Sequence, residues 1–250
     1  MYFMKNGQLV NQQSIAPNDV DSIIFYKPEG LTEPFVDIDG NVYPTVKIGD
    51  QIWMAKNLKV THFPDGSEIP FYSNDIEWKG IQDNDEKVNA GYCWYSDNAE
   101  NKSSYGALYS YAGALHACPE GWHLPTEEDW KNLQMELGMT QSEYENSGFQ
   151  GTSSHVGSQI AGNQSLWTEG WLTTHSDSKF GSSGLNLIPG GQRNAVSGEC
   201  TQLGENGHYW VNEDHSTGRA YARNIQYNNT GIEKRGNIKS SGHSVRYVKD

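Results

Sequence analysis

The segment that most constrains the fold is 117–137, which reads ACPEGWHLPTEEDWKNLQMEL. A turn rich in Pro, Gly and Trp leads to Thr126, a residue type that accepts a backbone N–H hydrogen bond at a helix start. Acidic residues fill the next three positions, where the helix dipole favours negative charge. Apolar residues then recur at helical spacing (Trp130, Leu133, Leu137). The segment predicts a short amphipathic helix that serves packing and carries no reactive centre.

The charge balance excludes some classes of partner. Lys and Arg total 18 against 31 Asp and Glu, which gives the 250-residue chain a formal net charge of −13. Binding to nucleic acid or to an anionic membrane surface requires clustered basic residues, so neither is expected. No apolar run reaches the length of a transmembrane helix. The 27 Gly, 14 Tyr and 8 Trp residues favour short strands and long ordered loops over a helical bundle.

The cysteines and the N-terminus leave alternatives open. Cys93, Cys118 and Cys200 are an odd number with no CxxC spacing, so one disulfide is possible and its partners are undetermined. The first residues show neither a signal-peptide pattern nor a lipobox cysteine. The chain is therefore cytoplasmic or virion-borne, or its leader peptide lies outside this sequence.

The order of turn signals and apolar patterns predicts two parts. Residues 1–35 form a short β-prone leader and linker, with strand-like runs at 2–4 and 23–26. Residues 36–250 form the main domain, which begins with a three-stranded meander over 36–60. The aspartates of its first turn, Asp37 and Asp39, fit a hairpin better than a calcium loop. The acidic stretch 73–89 is either a solvated loop or a calcium site.

Further along the chain, the apolar pattern predicts one helical face over 105–116. The capping-box spacing of Thr140 and Glu143 predicts a short helix around 140–146. Residues 147–183 are rich in Gly and Ser and predict a long ordered loop. Residues 242–248 alternate in polarity and predict a terminal strand.

Taken in order, several segments resemble one known family, the Fibrobacter succinogenes major paralogous domain of Bacteroidetes and Fibrobacter surface proteins. They are DIDGNVYPTVKIGDQIWMAKNL (37–58), GYCWYSDNAENKSSYGALYSY (91–111), CPEGWHLPTEEDWKNL (118–133), LNLIPGGQRN (185–194), HYWVNED (208–214) and GHSVRYVKD (242–250). The resemblance implies an α+β, C-type-lectin-like fold, related to formylglycine-generating-type domains. Such a fold has small twisted antiparallel sheets, two main helices and long ordered loops, and its terminal strand pairs beside the first.

One departure from the family bears on the cysteines. Members usually carry Cys in the terminal strand, where this chain has Tyr247. If the cysteine at position 118 normally bridges to that strand, the bridge is lost here. Cys200 then becomes a candidate partner of Cys118, or Cys118 stays free.

No catalytic constellation emerges from the sequence, so no enzymatic activity is expected. The oxidase branch of the related domains uses a late cysteine pair, and Cys200 has no second cysteine beside it. His208 and His215 flank two acidic residues, but their spacing on loops specifies no metal site. Residues 210–214 match the Trp-Asn-Asp triplet of lectin-type calcium sites only in part, so calcium-dependent sugar binding is not supported. No cofactor is expected, with calcium left possible.

The C-terminal third carries the predicted ligand-binding residues, because polar aromatic and amide side chains on loops suit recognition. They are Trp210, Asn212, Asp214, His215, Tyr221, Asn224, Tyr227, Asn228, Asn229 and Arg235, with Asn237 in the same stretch. Trp210 and Tyr227 are the expected stacking platforms, although the same residue types also occur as ordinary turn residues.

The resulting expectation is a non-enzymatic, extracellular or cell-surface binding or adhesion module that recognises a glycan or a protein. The alternative is a phage-borne or retroelement-diversified receptor-binding protein, since such retroelements mutate adenines near the end of a gene and enrich Asn, Tyr, Asp, His and Ser.

Overall fold

The computed structural model describes residues 32–175 and 179–250 in full, and the strands 2–5, 8–10 and 22–24 in the first part of the chain. Contacts divide the chain into two compact units, Met1–Glu33 and Pro34–Asp250. The first unit holds β1 (Tyr2–Lys5), β2 (Gln8–Val10) and β3 (Ser22–Ile24) in an antiparallel sheet of order β2-β1-β3. The predicted leader strands therefore fall on two of these three strands.

The second unit combines short strands and short helices. Its strands are β4 (Phe35–Val36), β5 (Val42–Tyr43), β6 (Thr45–Ile48), β7 (Gln51–Met54), β8 (Tyr92–Cys93), β9 (Leu108–Tyr109), β10 (Trp122–His123), β11 (Phe149–Gln150), β12 (Gly190–Arg193), β13 (Cys200–Leu203), β14 (Asn206–Ser216), β15 (Arg219–Gln226), β16 (Ile232–Ile238) and β17 (Val248–Lys249). Its α-helices are α1 (Asp75–Trp78), α2 (Asn101–Tyr105), α3 (Tyr111–His116), α4 (Glu127–Glu136), α5 (Gln141–Tyr144), α6 (Val156–Ile160) and α7 (Trp171–Thr174).

The start of this unit differs from the predicted three-stranded meander. It forms two separate hairpins, β4–β5 and β6–β7. Pro44 lies between them, and because proline has no N–H to donate it interrupts the ladder. The Asp37 carboxylate accepts hydrogen bonds from the Asn41 backbone and the Tyr43 hydroxyl, so it stabilises the first turn as the hairpin interpretation requires.

The predicted helix α4 is confirmed together with its cap. The Thr126 hydroxyl accepts the Asp129 N–H, and the Asp129 carboxylate accepts the Thr126 N–H at 2.8 Å. Trp130 and Leu133 are fully buried on the face that packs inward. The second capping box, Thr140 with Glu143, likewise begins α5. Both caps act between residues close in sequence, which is why the sequence alone revealed them.

The single helical face predicted over 105–116 is wrong. The segment contains the end of α2, then β9, then α3. Gly106 separates them with a φ of +75°, in a region that side-chain-bearing residues avoid, and a Cβ there would lie 2.7 Å from the Leu58 carbonyl oxygen. Close packing against the 57–58 backbone therefore ends the helix early. The predicted loop 147–183 also contains β11, α6 and α7.

Two sheets organise the second unit. The four-stranded sheet has the order β10-β17-β7-β6, so the terminal strand pairs with β7 and joins the two ends of the unit. The six-stranded sheet has the order β11-β16-β15-β14-β12-β13, and all its pairs are antiparallel except β12 with β14. The second unit is thus mixed α+β, with small, mostly antiparallel sheets and few helices.

The segment 240–248 is not the alternating strand that was predicted. Residues Ser240 to Val248 are all buried, and only Val248 and Lys249 belong to a strand. The backbone of His243 exchanges hydrogen bonds with that of Tyr109, while Ser244 bonds to His208 and Trp210. The segment therefore runs between two sheets, which buries both of its faces.

In the part of the chain that the structure describes, no helix has the length and apolar character needed to cross a membrane.

Candidate functional site: a polar cleft on the six-stranded sheet

A cleft of about 320 Å³ opens on one face of the six-stranded sheet. Its walls come from β12 to β16 and from the loop that joins β12 to β13. Most of the lining side chains carry an amide, an imidazole or a guanidinium group: Gln192, Asn194, Gln202, Asn206, His208, Arg219, Asn224, Gln226, Arg235 and Asn237. The cleft is therefore a surface of hydrogen-bonding groups supported by strands.

His208 forms the floor of the cleft and is held by two amides. Its Nδ1 lies 2.8 Å from Asn224 Oδ1, and its Nε2 lies 2.9 Å from the Gln202 side-chain amide. Asn224 is opposite His208 in the β14–β15 ladder, and its own amide nitrogen donates to Glu233. Burial lowers the pKa of His208 to about 4, so the ring is neutral at pH 7. Because a neutral ring carries a single N–H, His208 donates to one of these two amide oxygens and packs against the other.

The charge at the cleft differs from that of the whole chain. Its lining contains two guanidinium groups, from Arg219 and Arg235, and the Glu233 carboxylate lies next to it, where it accepts from the Asn224 and Gln226 side-chain amides. Both arginine side chains are exposed, and Arg219 donates to the Gly236 carbonyl oxygen. Although the chain carries a net charge of −13, the side chains that line the cleft are neutral or cationic. It suits a ligand that offers hydroxyl and anionic groups.

The structure brings Asn224 and Arg235, of the predicted binding residues, together in this cleft, with Asn237 from the same stretch. The expectation that Trp210 is a stacking platform is wrong, because its ring is only 1% exposed. Its Nε1 donates to the Tyr109 carbonyl oxygen, and its ring packs against His243 with centroids 4.3 Å apart. The ring is a core side chain that no ligand reaches in this structure.

Tyr221 lies on the opposite face of the sheet. Its half-buried ring packs against the hydrophobic cluster that contains Trp53, Trp130 and Leu133. Lys234 Nζ lies 4.0 Å from the ring centre. His215 contacts that ring edge-on at a centroid distance of 5.0 Å. The cleft and this aromatic pair are therefore separate surfaces.

The remaining predicted residues lie at two other places. Asp214 is exposed and pairs with Lys239 at 2.6 Å, and exposed Asn212 is bonded through its backbone to Pro125. Tyr227, Asn228 and Asn229 follow β15, where half-buried Tyr227 packs against the core. The predicted residues thus do not form one binding face.

Sequence reasoning missed Gln192, Asn194, Gln202, Asn206, Arg219, Gln226 and the position of His208 in the cleft. A usable signal was present, because Asn206 and His208 on β14, and Asn224 and Gln226 on β15, alternate at the spacing of residues that share a strand face. Polar residues repeated at that spacing in neighbouring strands indicate one hydrogen-bonding surface.

The proposed partnership of Cys118 with Cys200 is wrong. The Cys118 thiol donates to the Trp122 carbonyl oxygen at 3.1 Å, whereas the Cys200 thiol lies beside that of Cys93. Cys200 therefore has a second cysteine beside it in the fold, although none is near it in the sequence. All three cysteines are free thiols in this structure, so Cys118 stays unbridged. Within residues 32–175 and 179–250, no group of three or more His, Cys, Asp and Glu side chains is placed to hold a metal ion. Of the three carboxylates in the acidic stretch 73–89 that were considered for calcium, Asp83, Asp85 and Glu86, two are engaged within the protein: Asp83 accepts from the Ser240 backbone N–H and Asp85 pairs with Lys239.

A second cavity of about 250 Å³ lies between the β6–β7 region and α2. Lys56, Lys59 and Lys102 line it, together with buried Arg246, whose guanidinium donates to Asn57 and to backbone carbonyl oxygens. Burial lowers the pKa of Arg246 to about 10. None of the predicted binding residues lines this cavity.

Comparison with known proteins places the chain in a family. The family model described as the Fibrobacter succinogenes major domain matches residues 46–249, and the chain therefore belongs to this family. No curated protein and no solved structure matches the sequence of this chain.

Proposed function

We propose that this member of the Fibrobacter succinogenes major domain family is a non-enzymatic binding module that holds an acidic glycan in the polar cleft. The observation that carries the proposal is the lining of the cleft, where amides converge with two guanidinium groups, and the Glu233 carboxylate beside them already accepts from two of the amides. Sugar hydroxyls both donate and accept hydrogen bonds, as side-chain amides do. A carboxylate or sulfate on the sugar supplies the charge that Arg219 and Arg235 complement.

Stacking does not contribute to this mode of recognition. The ring of Trp210 is buried, and Tyr227 does not line the cleft. Hydrogen bonds therefore supply the specificity, and the strands hold their donors in place before the ligand arrives.

A binding role also fits the environment of the cleft histidine. The ring of His208 lies against the Asn224 and Gln202 amide oxygens, and burial lowers its pKa to about 4, so at pH 7 it is a poor proton acceptor for a bound ligand. The proposal includes an extracellular or cell-surface location and a C-type-lectin-like fold. The pairing of β17 with β7 supports that fold, because it joins the ends of the unit as the family resemblance implies.

The test is a screen of the purified full chain against neutral, uronic-acid-containing and sulfated polysaccharides, run with calcium and with EDTA. We expect binding to acidic polysaccharides, weakened in both Arg219→Ala and Arg235→Ala. A hydrogen bond to a charged group contributes about 1.5–3 kcal/mol, so each loss predicts a roughly 10- to 150-fold weaker affinity. Both side chains are exposed, so the fold is retained.

Lys47→Ala and Asn228→Ala are the matched controls, since both residues are exposed and lie outside the cleft. If the arginine variants bind as tightly as these controls, the cleft is not the site. A loss in Lys56→Ala and Lys59→Ala instead assigns binding to the second cavity. The absence of binding to every polysaccharide refutes the glycan proposal and leaves a protein ligand.

The phage-borne or retroelement-diversified receptor-binding protein is a second proposal. It rests on the Asn- and Tyr-rich composition of the C-terminal third. It requires adenine-rich codons at Asn224, Tyr227 and Asn228, matched by a nearby template repeat, and sequencing of the gene's surroundings decides it.

A further inference from the structure

Two cysteines from distant parts of the second unit meet beside the cleft. Cys93 ends β8 and is fully buried, and Cys200 begins β13 and is half-buried. Their side chains lie close enough for each thiol to influence the charge of the other. Cys200 packs against the small cluster formed by Trp78, Ile81, Cys93 and Leu108. The fold thus positions two sulfur atoms side by side.

The loop after β8 is shaped around this pair. Ser96 and Asp97 both adopt positive φ angles, 52° and 56°, which are uncommon for residues with a side chain. In this conformation the Ser96 backbone N–H faces Cys200, and the Asp97 carboxylate accepts from Arg193.

Arg193 adds positive charge to the same place. It is opposite Cys200 in the β12–β13 ladder, is fully buried, and lies beside the Cys93 thiol. A guanidinium group and a backbone N–H both stabilise a neighbouring thiolate more than a neutral thiol. The surroundings of the two cysteines therefore stabilise a thiolate.

The two thiols are unequal. Burial raises the pKa of the Cys93 thiol. The pKa of Cys200 is lowered, mainly by the neighbouring Cys93 thiol and also by the Ser96 N–H and Arg193. Only a thiolate attacks a disulfide, so Cys200, which also has solvent access, is the attacking group. Cys93, which is buried behind Cys200, is the thiol that reacts second.

We propose that Cys93 and Cys200 are a dithiol site that a low-molecular-weight disulfide oxidises to an intramolecular disulfide bond. The Cys200 thiolate attacks one sulfur of the small disulfide, forms a mixed disulfide and releases one small thiolate. Cys93 then loses its proton to solvent and attacks the Cys200 sulfur, which releases the second small thiolate. Two protein thiols are oxidised, and one small disulfide is reduced to two thiols.

The new bond joins β8 to the β12–β13 hairpin. Gln192 and Gln202 of that hairpin line the cleft, and their side chains are hydrogen-bonded to each other. Oxidation therefore cross-links one wall of the cleft to the core cluster. The site itself does not depend on which ligand the cleft binds.

The experiment treats the purified, reduced full chain with oxidised glutathione at pH 8 under native conditions. After acid quenching, the chain is unfolded in denaturant and brought to pH 7, the remaining thiols are labelled with maleimide, and intact and peptide masses are recorded. We expect two thiols to disappear, a peptide that links Cys93 to Cys200, and a labelled Cys118. Cys118 serves as an internal control because burial raises its pKa to about 12.

Variants separate the two steps. Cys93→Ser is expected to accumulate the glutathione mixed disulfide at Cys200, because the resolving thiol is missing. Cys200→Ser is expected to form neither the mixed disulfide nor the cross-link, and Cys118→Ser is expected to oxidise like the unaltered chain.

A cross-link that includes Cys118, or three unreacted thiols in the unaltered chain, overturns the proposal. The peptide map of the unaltered chain needs no substitution, so it tests the proposal even when a variant misfolds.

Discussion

The buried ion pair between α4 and the six-stranded sheet leads to a quantitative prediction for Glu127→Gln. The Arg223 side chain is fully buried, and its Nη2 donates to Glu127 Oε1 at 2.6 Å. The same carboxylate accepts from the Tyr144 hydroxyl and pairs with Lys234 at 3.2 Å. Glutamine removes the charge and leaves the guanidinium buried without an anion. Breaking a buried pair in this way costs about 3–5 kcal/mol.

Glu128→Gln is the matched control. Glu128 lies next to Glu127 in the first turn of the same helix, so both changes remove one charge from the same end of the helix dipole. Its side chain is 69% exposed, and its nearest cation, Lys131 Nζ, is 3.9 Å away. An exposed pair of this kind contributes about 0–1 kcal/mol.

The assay is urea unfolding at pH 7. With a slope of about 2–3 kcal/mol/M, the unfolding midpoint of Glu127→Gln is expected to fall by roughly 1–2.5 M, and that of the control by less than about 0.5 M. The double variant Glu127→Leu with Arg223→Met removes both charges and is expected to recover most of the loss. Equal midpoints for Glu127→Gln and Glu128→Gln would refute the reasoning.

Acid should weaken the same pair. Burial acts to raise the pKa of Glu127, but Arg223 and Tyr144 outweigh it, and the folded-state pKa is lowered. Its stabilising contribution is therefore complete above the ordinary carboxyl pKa of about 4.3 and is lost as the pH falls through the folded-state value.

Two further predictions concern the histidine of the cleft and the buried tryptophan. Because the folded-state pKa of His208 is about 4 and the unfolded value is about 6.5, the unfolded chain binds a proton that the folded chain does not, so stability falls as the pH drops from about 6.5 towards 4. Between pH 7 and 5.5, urea midpoints should show that the unaltered chain loses about 1 kcal/mol more than His208→Gln, and equal losses would contradict the assignment. Trp210→Ala is expected to lower the free energy of unfolding by about 3–5 kcal/mol, whereas exposed Trp171→Ala should change it by less than about 0.5 kcal/mol. A stable Trp210→Ala protein that fails only in binding would show that this ring contacts the ligand after all.

Features that depend on neighbouring residues could be predicted from the sequence. The caps at Thr126 and Thr140 are examples, because each hydrogen bond joins residues three positions apart. Family membership was also evident, since the order of the turn and aromatic segments is a property of the chain itself. Both predictions needed no knowledge of distant contacts.

Features that depend on distant contacts could not be predicted in this way. The apolar pattern of 105–116 suits a helix, but contact of Gly106 with the Leu58 backbone divides the segment. Residues 242–248 alternate like a surface strand, yet two sheets enclose them and bury the polar positions as well. The spacing of polar and apolar residues indicates which side chains share a face of a segment. It does not indicate which other parts of the chain pack against that face.

The polar cleft shows the same division. The sequence by itself determined that the C-terminal third alternates polar and apolar residues along strands, and that it is rich in amide side chains. Only the tertiary structure decided which of these side chains meet. Strand register places His208 opposite Asn224, helix α4 covers the face that carries Arg223, and His243 with α3 covers Trp210. Alternation creates two faces, and long-range packing leaves only part of one open to a ligand.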